Sequence, residues 1–244
     1  MSWQMDFRSH LHSIFHKLHA FQDSLSGWAW PNICPACEGY LMNPDWVLCP
    51  TCYRQLDHPT GHELQQKEAA LHQLQPNLSL GYALWIFDQG GTVQALQHQL
   101  KYHNRPKLGL RIGKLMGQHF LRVHAERPDL IVPIPLSRLR ELERGYNQSA
   151  MLAQGFSEAA GIPFNLNLLI RSRKTTSQTK LNRDERWKNV RGAFELAHPE
   201  EAAGKTILLM DDVLTTGATL AAAAEPLLSL PETRVITASM ALVR

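Results

Sequence analysis

Asp211 and Asp212 stand side by side at the end of an apolar run, Thr206 to Met210, and are followed by Thr215-Thr216-Gly217-Ala218-Thr219. Adjacent carboxylates raise one another's pKa and repel anions, so their place beside a loop of this kind needs a chemical reason. Vicinal ribose hydroxyls supply one, because a carboxylate accepts hydrogen bonds from sugar hydroxyls. Gly217 allows a tight turn, and the amides after it open a helix expected over Leu220 to Leu228. Unpaired amides at a helix start, with threonine hydroxyls beside them, suit a phosphate dianion. The spacing fits a 5-phosphorylated ribose, its phosphate on Thr215 to Thr219 and its hydroxyls on the aspartates. A capping turn accounts for one such Asp or Thr but not for the set. Phospho-acceptor domains also end a strand in two aspartates but have no use for the Thr/Gly loop, and a nucleotide P-loop needs a Gly-Lys-Ser/Thr that is absent.

All four cysteines fall in two pairs, Cys34-Pro-Ala-Cys37 and Cys49-Pro-Thr-Cys52. Two Cys-x-x-Cys hairpins can offer four thiolates to a tetrahedral zinc, which stabilises a module too small to bury its own core. Structural disulfides conflict with the cytoplasmic address expected from the lack of an apolar leader, and a redox pair would need a different context. The zinc would be structural.

The charge is unevenly spread. Residues 101–191 hold 18 of the 25 Lys and Arg but 7 of the 22 acidic residues, so the middle carries +11 within a chain of net charge +3. Such a field suits pyrophosphate, nucleotide or single-stranded nucleic acid. Ser137, Arg138, Arg140 and Arg144 belong to a loop expected after the strand Asp129 to Pro135, on the crevice side of an open α/β sheet. A second polar stretch, Arg171 to Arg191, reads as the tip of a hairpin able to close over the site. Trp187 and Tyr146 are candidates for base stacking there or for the core.

These residues need a frame of 244 residues, 44% apolar, with mean hydropathy −0.26. That is enough for one large domain or a medium one with an appendage, and no run is long enough to span a membrane. Trp3, Phe7, Leu11, Ile14, Phe15, Leu18, Phe21 and Leu25 mark an amphipathic helix over 1–30. His12, His16 and His19 share one of its faces, as a solvated face or a metal site. The helix has only Arg8 and Lys17 as cations for a membrane surface. A cysteine module with a connecting helix, His62 to Leu74, fills 31–76, and the main domain runs over 77–244. The main domain is expected to hold a strand at Leu80 to Phe87 and helices at Thr92 to Tyr102, Lys107 to Ala125 and Asn147 to Ala160. Further strands follow at Phe164 to Ile170 and Val190 to Leu196. Gly109, Gly113 and Gly117 recur at every fourth position and invite a close helix contact.

The acidic pair with its Thr/Gly loop resembles the ribose-phosphate motif of type I phosphoribosyltransferases, which bind 5-phosphoribosyl 1-pyrophosphate (PRPP) with magnesium. The similarity extends over roughly residues 30 to 244 to the ComF/GntX branch. It is carried by the cysteine pairs, Lys101-Tyr102, Val132-Pro133-Ile134-Pro135, Arg144-Gly145-Tyr146-Asn147-Gln148, Gln178 through Leu181 to Arg186, Asn189 and Asp211-Asp212. The resemblance implies a doubly wound, mostly parallel α/β sheet behind a small four-cysteine module. It also implies Zn, Mg²⁺ and PRPP as bound species and a role in DNA uptake and natural transformation. Asp211 and Asp212 would be the catalytic pair. Arg138, Arg140 and Arg144, with Ser137 and Lys101, would face the pyrophosphate, and Gln178, Arg186 and Asn189 would belong to the lid. Single-stranded DNA and DNA-uptake, helicase or recombination proteins are the implied partners. An active phosphoribosyltransferase serving nucleobase or nucleotide salvage is the alternative, its acceptor unnamed by sequence.

Overall fold

The structure, a computed structural model, describes residues 32–172, 187 and 189–244. The amphipathic segment 1–30 and the lid candidates Gln178 and Arg186 lie outside the described residues.

Four parallel strands form the centre: β1 (Leu78–Ile86), β2 (Leu130–Pro133), β5 (Thr206–Leu214) and β6 (Arg234–Leu242), in the order β1-β6-β5-β2. Ile207 to Met210 are fully buried, as befits a strand covered on both faces. One face carries α3 (Thr92–Tyr102), α4 (Pro106–Val123) and α6 (Gln148–Ala160), whose core merges with Cys34, Val47, Leu48 and Cys52 of the cysteine module. The other face carries α7 (Ala218–Leu228) and the antiparallel pair of β3 (Leu169–Arg171) and β4 (Phe194–Leu196). Helices on both faces of a parallel sheet make the doubly wound architecture that the strand and helix pattern predicts. No helix among the described residues is long and apolar enough to cross a membrane.

The cysteine module holds one turn of helix, α1 (Pro50–Tyr53), and is followed by α2 (Gly61–His72). Thr60 and Glu63 close a reciprocal capping box at the start of α2. The polar connecting helix expected here has one fully buried residue, Leu71, which is seated in the sheet's second core.

The glycine spacing has a clear reading. Gly113 lies against the Leu152 carbonyl, Gly117 against that of Phe156, and Gly155 on α6 against the Leu110 carbonyl, so the two helix backbones meet with no room for a Cβ. Because backbone cannot yield as a side chain end can, Gly155→Val should cost about 2–3 kcal/mol and lower Tm by roughly 6 °C. A melt within a degree of the parent would refute the contact.

Three local expectations are corrected. The arginine loop is instead a short helix, α5 (Arg138–Arg144), closed by Gly145 at φ +78°. The strand expected over Phe164 to Ile170 is broken. Phe164 makes a single bridge to Ile131, and the Asn165 side chain then accepts from the amides of Asn167 and Leu168, turning the chain before β3 begins. Likewise Val190 to Leu196 is strand only from Phe194, Val190 being helical. β5, by contrast, runs on through the aspartates to Leu214, because β6 pairs with it that far.

Candidate functional site

β2 pairs with β5 only as far as Met210, whose carbonyl also accepts from the Ile134 amide. From β5 the chain crosses through α7 to β6 on one side, and from β2 through α5 and α6 to Phe164 on the other. The carboxyl ends of β2 and β5 therefore flank the topological switch point, where open α/β sheets bind ligands. Asp211 and Asp212 are the first residues of β5 past the pairing with β2.

The two carboxylates have different partners. Asp211 Oδ1 accepts from Ser149 Oγ at 3.0 Å and from the Asp212 amide at 2.9 Å. Asp212 Oδ1 accepts from the Val213 amide at 2.8 Å, and its Oδ2 lies 2.9 Å from Lys101 Nζ. Burial, and then the charge of Asp212, push the Asp211 carboxyl up to about 7. Burial acts on Asp212 as well, but Lys101, with Arg144 behind it, outweighs that and holds the carboxyl below its ordinary value. One neighbour keeps a carboxylate while the other holds a proton near neutrality.

The segment 144–149 builds this asymmetry. The Leu100 carbonyl, at the end of α3, accepts from Tyr146 Oη at 2.6 Å and Gln148 Nε2 at 3.2 Å, which fixes the helix end that carries Lys101. Arg144 donates to Gln148 Oε1 at 2.8 Å. Asn147 caps α6 by accepting from the Ser149 amide and donates its own Nδ2 to the Ile134 carbonyl, so Ser149 starts a helix pinned to the end of β2.

The Thr/Gly loop follows. Gly217 has φ +81°, and the Leu71 side chain of α2 fills the space where a Cβ would stand, so no other residue suits that turn. Lys67 Nζ donates to the Thr215 carbonyl at 3.0 Å. Thr215 is exposed, Thr216 and Thr219 are half-buried, Gly217 and Ala218 are buried, and α7 begins at Ala218. Its first amides are thus placed for an anion.

Lys101 and Arg144 lie with Asp211 and Asp212. Arg138 is exposed and Arg140 half-buried on α5, with Ser137 just before it making no side-chain cap bond. Asn189 is half-buried in a helical stretch. Tyr146 donates its hydroxyl to the Leu100 carbonyl with its ring half-buried, and Trp187, also half-buried, packs against the core that holds Leu169 and Phe194. Two participants escape sequence reasoning. Ser149 has no signal beyond its place two residues after a helix cap. Arg171, read only as the start of a polar stretch, sits 5.3 Å over the Phe194 ring, and its pKa is lowered by burial and then by Arg140, with Asp211 opposing.

The four cysteine sulfurs lie within 4.8 Å of one another, with Cys37 Sγ 3.7 Å from Cys49 Sγ. Four thiolates about 2.3 Å from a tetrahedral zinc would stand about 3.8 Å apart, so the cluster fits that ion. The Cys49 amide points to Cys34 Sγ at 3.4 Å and the Cys52 amide to Cys49 Sγ at 3.5 Å, as suits charged sulfurs.

The chain is 38% identical over 198 residues to competence protein F of Haemophilus influenzae, covering 77% of this chain and 86% of that protein. It is 30% identical over 212 residues to DNA utilization protein YhgH of Salmonella typhimurium, covering 81% and 91%. Competence protein ComFC of Bacillus subtilis is 27% identical over 203 residues, covering 78% and 81%. Among solved structures, glutamine PRPP amidotransferase from B. subtilis is similar at 21% identity and TM-score 0.40, over 58% of this chain and 30% of that one. Adenine phosphoribosyltransferase from Leishmania donovani is similar at 16% identity and TM-score 0.33, over 69% and 84%. No family model matches the chain.

Proposed function

Because the chain belongs to the ComF/GntX family, together with the competence and DNA utilization proteins to which it is similar, we propose that it binds PRPP with Mg²⁺ and acts in DNA uptake through single-stranded DNA. The observation that carries this reading is the acid pair at the switch point, followed at once by a loop that only glycine can turn. Asp211 and Asp212 would take the ribose hydroxyls and Thr215 to Thr219 the 5-phosphate, with Arg138, Arg140, Arg144 and Lys101 toward pyrophosphate. Mg²⁺ would neutralise pyrophosphate charge, and carboxylates with substrate phosphates are its usual ligands. Zn would sit on Cys34, Cys37, Cys49 and Cys52 in a structural role. The protein would work in the cytoplasm, alongside DNA-uptake, helicase or recombination proteins. Titration calorimetry with PRPP and Mg²⁺ tests the site; heats indistinguishable from dilution would end the proposal.

The DNA half has its own test. If 101–191 tracks a strand, log K should fall with log salt at about −0.7 per neutralised phosphate. Changing Arg173, Lys174, Lys180 and Arg183 to glutamine should flatten that slope and leave PRPP binding intact. Fluorescence anisotropy with a labelled oligonucleotide reads both, and an unchanged slope would remove these residues from the interface.

One observation favours a second reading, an active phosphoribosyltransferase of nucleobase or nucleotide salvage. Adjacent carboxyls pushed apart in pKa are a common mark of acid and base roles in catalysis. Departing pyrophosphate leaves positive charge on the ribose, which the acid pair would stabilise. Pyrophosphate release on adding one of a panel of bases would establish this reading, and none across the panel would return the site to ligand binding.

A further inference from the structure

A cavity of ≈ 780 Å³ lies between the cysteine module and α4, lined chiefly by Trp46, Pro50, Tyr53, Arg54, Lys114 and Leu115. Arg111 fastens its two walls together by donating to the Pro44 and Trp46 carbonyls. Trp46 and Tyr53 keep 37% and 40% of their surface open, and Tyr40 and Met42 on the same module keep 80% and 93%. A module this small rarely shows so much aromatic and sulfur surface to water without a partner.

An apolar stripe fit to cover this groove belongs to the same chain. The described residues begin at Asn32, whose carbonyl accepts from the Leu41 amide at 2.7 Å, so the preceding 31 residues leave the module beside Leu41 and Met42. Those residues carry Trp3, Phe7, Leu11, Ile14, Phe15, Leu18, Phe21 and Leu25 at helical spacing, a stripe that must be covered by something. Residues 26–31 can span up to about 20 Å. A tether that short holds the stripe at an effective concentration of about a millimolar, above what a separate partner or a second copy ordinarily reaches.

We propose that residues 1–25 dock in this groove in cis, laying their apolar face over Trp46, Tyr53 and Leu115. The inference is independent of the PRPP site, which lies at the carboxyl edge of the sheet. The sequence supplies the stripe, and the structure supplies the seat on the same module that residues 1–31 lead into.

Two measurements on the full chain test it. A photo-crosslinking benzoylphenylalanine at Gln118, which also lines the groove, should join peptides from 1–25. In a mixture of isotopically heavy and light chains, the products should be all-light or all-heavy. Mixed-mass products would show a second copy in the groove, and no product from 1–25 would show the segment elsewhere; either result overturns the proposal. Phe15→Asp with Leu18→Asp should speed hydrogen exchange of amides 46–54 by about tenfold while β5 keeps its rates. Equal rates at 46–54 in parent and variant would also overturn it.

Discussion

Stripping the metal should unfold the cysteine module and weaken the domain behind it. The purified chain is expected to carry one zinc, measured by native mass spectrometry and elemental analysis, and to lose it to chelator or to Cys34→Ser with Cys52→Ser. Structural zinc contributes about 10–16 kcal/mol at neutral pH, which rivals the whole stability of a domain, so a segment of this size has no reserve to replace it. The loss does not stay local. Cys34, Val47, Leu48 and Cys52 share one apolar cluster with Trp85, Leu115 and Phe120, so opening the module uncovers that face of β1 and α4. Hydrogen exchange should therefore rise over 32–54 first and at α4 next, with the acid pair's surroundings changing last. Metal-free protein with undiminished protection over 32–54 would remove zinc from the account.

The sequence is most legible where one residue type has a single physical use. Four thiols at metal spacing, a glycine between threonines after two aspartates, and glycines repeating every fourth residue each point to a geometry that the structure contains. Legibility fails where a contact crosses the fold. Ser149 reaches Asp211 across 62 residues, and Arg171 finds Phe194 only because β3 and β4 pair. It fails also for α5, whose seven residues carry only Leu139 and Leu142 as apolar positions, too short a window for helical periodicity to be read. The basic middle is a subtler case. Its +11 is a sum over residues, and the fold turns part of it inward: Lys101 pairs with Asp212, and Arg111 donates to backbone carbonyls. The field offered to a strand of DNA is smaller than the count.

Asp211→Asn and Asp212→Asn should part company in stability while both weaken ligand binding. Each keeps the shape and removes a charged hydrogen bond, worth about 1.5 kcal/mol or more, so the double variant should bind PRPP at least 100-fold more weakly by calorimetry. Stability follows the opposite shifts of the two carboxyls. Asp211 has its pKa raised on folding, to about 7, so the native state holds a proton that the unfolded chain releases from about pH 4 upward. Its cost to the fold is absent at low pH, grows as pH rises toward 7 and is complete above. Asp211→Asn should therefore melt at the parent's temperature near pH 4 and above it at pH 8. Asp212 is depressed by Lys101 against the pull of burial, so its contribution is present at neutral pH and fades as pH falls through the acid range. Asp212→Asn should lower the melting temperature at pH 7 and strand Lys101 without its counter-charge. Binding adds a third signature. If the ribose hydroxyls donate to an ionised Asp211, affinity should climb as pH passes 7, and Asp211→Asn should remove that climb while the ligand's own phosphate titration near pH 6 persists in both proteins. A pH profile that survives unchanged in Asp211→Asn would place the titrating group elsewhere and take the ribose off this aspartate.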